Sequence, residues 1–117
     1  TVVATAKKYL GIAYVLGGST PETGFDCSGL VQYAHGTAGL TTPRVSYEQA
    51  AAGISVPKSQ LRIGDVVCFN SPVSHVGIYL GGGKFIHAPK TGDVVKITSV
   101  SAMKLTAIRR YTGKLAY

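Results

Sequence analysis

Ser74-His75-Val76-Gly77-Ile78-Tyr79-Leu80-Gly81-Gly82-Gly83-Lys84-Phe85-Ile86-His87-Ala88 reads as one β-hairpin. Two runs rich in β-branched, aromatic and apolar residues flank three consecutive glycines, the composition of two strands around a tight turn. If Gly81 to Gly83 form a three-residue loop, Leu80 pairs with Lys84, Tyr79 with Phe85 and Ile78 with Ile86. His87 then faces Gly77, and His75 faces Pro89. Both imidazoles fall on one face of the sheet as diagonal neighbours, with backbones about 7–8 Å apart and side chains within reach. A two- or four-residue loop would put them on opposite faces.

Working outward, short runs of strand character cover 65–70, 75–80, 84–88, 94–100 and 105–111, separated by Gly, Pro, Asn and Ser. The N-terminal half has a different period. Val2, Val3, Ala6, Tyr9 and Leu10 share one helical face, and Gly11 ends that helix. Residues 11 to 25 read as loop. A second helix spans Ser28 to about Thr37, with Asp26 at its cap position. Ser46-Tyr47-Glu48-Gln49 has the form of a capping box opening a short helix through Ala52. Helices first and strands afterwards predict an α+β class, with helices on a five-stranded antiparallel sheet. At 117 residues the chain is read as one domain, 1–117.

Twelve Lys and Arg against five acids give a net charge of +7. The cations are scattered rather than gathered in a stripe with aromatics, so the charge reads as a diffuse field toward a polyanion such as cell wall, and not as a nucleic-acid groove. No run approaches the roughly 20 apolar residues of a membrane span. The opening Thr-Val-Val-Ala-Thr-Ala-Lys-Lys contains no signal peptide, and an excised mature domain would look the same. Cys68 lies in the apolar run Asp65-Val66-Val67-Cys68-Phe69, the setting of a small buried hydrophobe. Cys27 lies at a loop-to-helix junction. The two are read as unpaired.

A thiol is an effective nucleophile as thiolate, and a helix N-terminus or a neighbouring imidazolium favours that anion. The predicted helix start gives Cys27 the first of these, and a backbone N–H there can hold an oxyanion. The base must come from three histidines. His35 lies about 12 Å further along the Cys27 helix and cannot reach the thiol. His75 and His87 remain. A single strand histidine is more often satisfied structure than catalyst, but a helix-start cysteine with two histidines on one hairpin face is a constellation. A Cys-His-His zinc site is the weaker reading, because no Cys-x-x-Cys or His-x-x-x-His pair gives local chelation.

The blocks Phe25-Asp26-Cys27-Ser28-Gly29-Leu30 and Ser74-His75-Val76-Gly77-Ile78-Tyr79, with the later His87, resemble the NlpC-type cysteine peptidases, the bacterial cell-wall endopeptidases. Gly11-Ile12-Ala13-Tyr14-Val15-Leu16-Gly17-Gly18, Pro43-Arg44-Val45-Ser46-Tyr47-Glu48-Gln49 and Leu61-Arg62-Ile63-Gly64-Asp65-Val66-Val67 match the same pattern in the same order. The resemblance implies a papain-like fold with Cys27 as nucleophile, His75 as general base and acid, and His87 orienting His75. It implies an oxyanion and substrate-binding set of Tyr14, Asp26, Ser28 and Ser74, with no metal and no cofactor. It also implies hydrolysis of the bond between γ-D-glutamate and diaminopimelate or lysine in peptidoglycan stem peptides, by a monomer acting outside the cell. Leu16 departs from the pattern, standing where an aromatic residue is common.

Bland readings stand beside these roles. Tyr14 also suits a half-buried aromatic, Asp26 a helix cap only, and Arg44 a surface cation. Gly77 and Tyr79 read as packing under the histidine strand. The rival functions are an amidase cutting the sugar–stem bond, a thiol acyltransferase acting on lipid, and a non-catalytic basic wall-binding or nucleic-acid module.

Overall fold

A computed structural model describes residues 2–111. Thr1 and residues 112–117 of the expected 1–117 domain lie outside the described residues. Helix α1 (Val2–Lys8) precedes a two-stranded antiparallel ribbon, β1 (Ser19–Thr20) and β2 (Gly24–Phe25). Helix α2 (Cys27–Thr37) and helix α3 (Ser46–Ala51) follow. The remaining strands are β3 (Ile54–Ser55), β4 (Val66–Phe69), β5 (His75–Gly81), β6 (Lys84–His87), β7 (Lys96–Ser99) and β8 (Leu105–Arg110).

These six strands form one antiparallel sheet in the order β3-β8-β4-β5-β6-β7. The α+β class agrees with the sequence reading, but the sheet has six strands rather than five. The added one, β3, is a two-residue edge strand paired through Ile54 with Arg110 and Ser55 with Arg109. Two residues carry no periodicity, so only the partner strand reveals it. The ribbon β1–β2 is likewise absent from the sequence reading, for the same reason.

Both faces of the sheet are covered. Val66, Cys68, Val76, Ile78 and Ile86 pack with Phe25, Leu30, Val31 and Ala34, which seats α2 on one face. Val67, Phe69 and Phe85 pack on the other with Leu61, Tyr79, Met103 and Leu105. Strand β4 is buried at all four positions, which explains its unbroken Val-Val-Cys-Phe run.

The hairpin keeps the expected register in its body, Ile78 opposite Ile86 and Tyr79 opposite Phe85. At the tip, however, Gly81 pairs with Lys84, so the turn itself is Gly82-Gly83, and the register shifts between Tyr79 and Gly81. The two-residue turn would have separated the histidines onto opposite faces, and the extra residue at the bulge restores them to one. Gly77 is required beneath them, because a Cβ there would stand 2.5 Å from Cδ2 of Phe85.

The capping box does not form. Val45 occupies the cap position of α3 with no side-chain hydrogen bond. Gln49 instead turns inward, fully buried, and donates from Nε2 to the carbonyl oxygens of Ser28 (3.0 Å) and Pro43 (2.8 Å). It ties α3 to the first turn of α2.

Candidate active site

The thiol side of the site is built on the start of α2. Asp26 caps the helix in extended backbone conformation, its Oδ1 accepting from the Gly29 N–H at 2.7 Å. Its Oδ2 accepts from the Gly17 N–H at 2.9 Å. Arg44 closes on both oxygens, Nη1 to Oδ1 and Nη2 to Oδ2 at 3.1 Å each, and Nη1 also donates to Ser28 Oγ at 2.8 Å. Such a bidentate fork fixes geometry as well as charge. Gly29 permits the close approach, because a Cβ would collide with the Gly18 carbonyl oxygen. Cys27 is thereby held as the first residue of the helix, and both Cys27 and Cys68 are free thiols.

The histidine side lies on the sheet. Nε2 of His75 and Nδ1 of His87 are 2.6 Å apart. Nε2 of His87 lies 2.8 Å from Oγ1 of Thr98 on β7. Phe69 and Phe85 pack tilted against these rings. The two sides meet at the start of β5. Hydrogen bonding from the backbone of Val76, one residue beyond His75, acts on the Cys27 thiol.

Electrostatics differ from the sequence expectation. Burial pushes the Cys27 thiol up, and hydrogen bonds from the Val76, Ser28 and Cys27 backbone only partly offset it; Asp26 adds to the rise. Burial also lowers His75 and His87 to about 4, the two rings reinforcing each other at His87. The thiol and both imidazoles are therefore neutral at rest near pH 7. The helix start is present, but desolvation outweighs its favour for the anion. Cys68 is pushed by burial to about 12, an inert thiol.

The other expected residues are distributed as follows. Tyr14 is half-buried and bridges to Phe25; its phenol is raised by burial and by the proximity of Cys27 and Asp26, with Arg44 opposing. Asp26 and Ser28 are buried beside Cys27. Ser74 is exposed, its hydroxyl accepting from Asn70 Nδ2 at 2.8 Å, on the rim of an open cleft of about 490 Å³ against His75 and His87. His35 is buried in α2 with Nδ1 2.8 Å from the Val31 carbonyl oxygen, apart from the site. Arg44, read as a surface cation, is instead the clamp of the thiol side. Thr98 was not singled out, because its place beside His87 depends on the 88–95 loop, whose path no local pattern gives. Among the described residues no three His, Cys, Asp or Glu side chains converge as metal donors.

Fold and site together define an α+β domain with a helix-start thiol set against a histidine pair on an antiparallel sheet. The NlpC/P60 family model matches residues 11–111, and the chain belongs to that family. It is 45% identical over 119 residues to the gamma-DL-glutamyl hydrolase of Bacillus subtilis (strain 168), covering 94% of this chain and 29% of that protein. It is 43% identical over 110 residues to the murein DD-endopeptidase MepH of Escherichia coli (strain K12), covering 86% of this chain and 41% of that protein. The chain thus spans well under half the length of these relatives. Among solved structures, an NlpC/P60 family protein from Bacillus cereus ATCC 10987 superposes with a TM-score of 0.89 at 33% identity, covering 94% of this chain and 39% of that one. The NlpC/p60 domain of the peptidoglycan hydrolase SagA gives 0.85 at 39% identity, covering 93% of this chain and 95% of that one.

Proposed function

We propose that this chain is a cysteine endopeptidase of peptidoglycan, acting outside the cell on the bond between γ-D-glutamate and the following diamino acid of stem peptides. The observation that carries the reading is the 2.6 Å link between His75 and His87, at the strand start where the Val76 backbone meets the Cys27 thiol. A gamma-DL-glutamyl hydrolase and a DL-endopeptidase (CwlT of Bacillus subtilis strain 168) among the similar proteins support the choice of bond.

In this mechanism Cys27 Sγ attacks the scissile carbonyl carbon while its proton passes to Nδ1 of His75. The neutral resting pair makes proton transfer part of the attack rather than a prior step. The imidazolium so formed donates from Nε2–H to Nδ1 of His87. The oxyanion is held by the Cys27 backbone N–H and the Tyr14 hydroxyl, which stays protonated because its pKa is raised. As the intermediate collapses, the C–N bond breaks, His75 returns the proton to the leaving amine, and a thioester remains. His75 then takes a proton from water, hydroxide attacks the thioester, and the carboxylic acid leaves as the thiol is restored. Asp26 and Ser28 present their remaining surface to the stem beside the nucleophile.

A second reading, cleavage of a D,D cross-link, is favoured by the similarity to MepH. Mass analysis of products from muropeptides of defined structure separates the two, and release of intact stems from sugar would indicate an amidase instead. Cys27→Ala is expected to abolish cleavage with the fold retained; full activity in that variant would sink the proposal.

A further inference from the structure

The hydrogen-bond chain of the site does not end at His87. In the β6–β7 register His87 stands opposite Lys96 and Phe85 opposite Thr98, so His87 and Thr98 are diagonal neighbours on one face. His87 is 3% exposed, with Phe85 packed against its ring at 4.3 Å between centroids. Among the described residues, its Nδ1 faces His75 and its Nε2 faces Thr98.

The direction of this chain matters. When His75 has taken the thiol proton, its Nε2–H donates to Nδ1 of His87, which must then be unprotonated. The His87 proton therefore sits on Nε2 and needs an acceptor. We propose that Thr98 is a positioning residue for catalysis, its hydroxyl accepting from Nε2–H of His87 and holding that ring in the tautomer and orientation that support the His75 imidazolium. The hydroxyl can also donate to an unprotonated Nε2. That reverses the chain, leaves the His75 proton on Nδ1 and blocks transfer from Cys27. The productive direction is enforced as the imidazolium develops, so Thr98 contributes more to the transition state than to the resting enzyme. This rests on His75 being the base.

The test uses the wall hydrolysis assay together with 15N spectra of the histidine rings in the resting protein. Thr98→Val keeps the shape and the strand preference but removes the acceptor. It is expected to lower kcat about tenfold with KM little changed, the size lost with one hydrogen bond to a charged chain. Thr98→Ser should restore most of it. In a His87→Ala background Thr98→Val should be silent, because its partner is gone. The acid limb should move to lower pH in Thr98→Val. The other titratable groups around the two rings, Cys27 on α2, Lys90 and Asp93 on the loop before β7, and Lys96 on β7, are unchanged by that substitution. An equal loss with and without His87, or unaltered His87 ring-nitrogen shifts in Thr98→Val, would overturn the proposal. Because the ring spectra need no substrate, they test the Thr98–His87 bond and the tautomer it holds separately from the hydrolase reading, which Cys27→Ala tests.

Discussion

Asp26 and His87 each hold a neighbour at the site, and they do it by different means. Asp26 is a carboxylate held by two backbone N–H groups and a two-pronged Arg44. His87 is an uncharged ring between another ring and a hydroxyl, packed tilted against Phe85. The thiol side needs a fixed helix end, and a charge-assisted cap supplies it. On the proposed mechanism the histidine side needs a base that is unprotonated at rest, and a carboxylate beside His75 would raise its pKa and favour the protonated ring. Asp93, whose charge acts on His87, is paired with Lys96 at 2.8 Å. Charge fixes the thiol side, and neutrality leaves the histidine side open to the proton that the proposed mechanism gives it.

The largest expected effect separates the members of the neutral side. His75→Ala should lower kcat/KM by about 1,000-fold, the loss of proton transfer, whereas His87→Ala should cost about 10- to 100-fold. Equal losses would mean that His87 also moves a proton, and the division between base and orienting ring would fail.

The next effect is on stability. Both rings titrate near 4 in the fold and near 6.5 when unfolded. The unfolded chain therefore binds more protons below pH 6.5, and stability falls as pH drops from about 6.5 toward 4, by up to about 3 kcal/mol for each ring. Buried His35 is shifted in the same direction and adds to the slope. Urea unfolding midpoints at pH 7 and 4.5 measure this. The slope should flatten in His87→Ala, and a flat profile in the unmodified protein would show that the rings are already charged.

The charged side should respond differently. Arg44→Ala leaves Asp26 without its cation in a mostly buried site and should cost about 2 kcal/mol, less than a fully buried pair because a third of the Arg44 side chain is exposed. Arg44→Lys should recover little, since an ammonium cannot bridge both oxygens and reach Ser28 at once. Thermal or urea denaturation reads both. A full rescue by lysine would mean that only the charge matters there.

The histidine side was the more legible of the two in sequence. Period-2 burial fixes which residues of β5 and β6 share a face, and the hairpin joins them locally, so His75 and His87 could be placed together before any tertiary contact was known. The turn holds two residues rather than the expected three, yet the bulge preserves the facing pair. Cys27 was legible as a helix start because Asp26 and the following apolar spacing mark one. Arg44 was not, because its partner lies 18 residues away across a loop. Thr98 was hidden for the same reason, as was the edge strand Ile54–Ser55. The thiol pKa was missed because desolvation depends on what covers Cys27, which no local pattern states.

The smallest effect concerns Ser74, which sits on the cleft rim one residue before His75. If the histidine side contributes proton transfer and little binding, its hydroxyl has no catalytic partner to lose. It is exposed and already accepts from Asn70 at 2.8 Å. Ser74→Ala should then change kcat/KM by less than about twofold, as surface substitutions usually do. Steady-state kinetics on a defined stem peptide measure it. A tenfold rise in KM with kcat intact would place a substrate contact on the histidine side. Binding would then be shared across the cleft rather than confined to the charged wall of Asp26, Ser28 and Arg44.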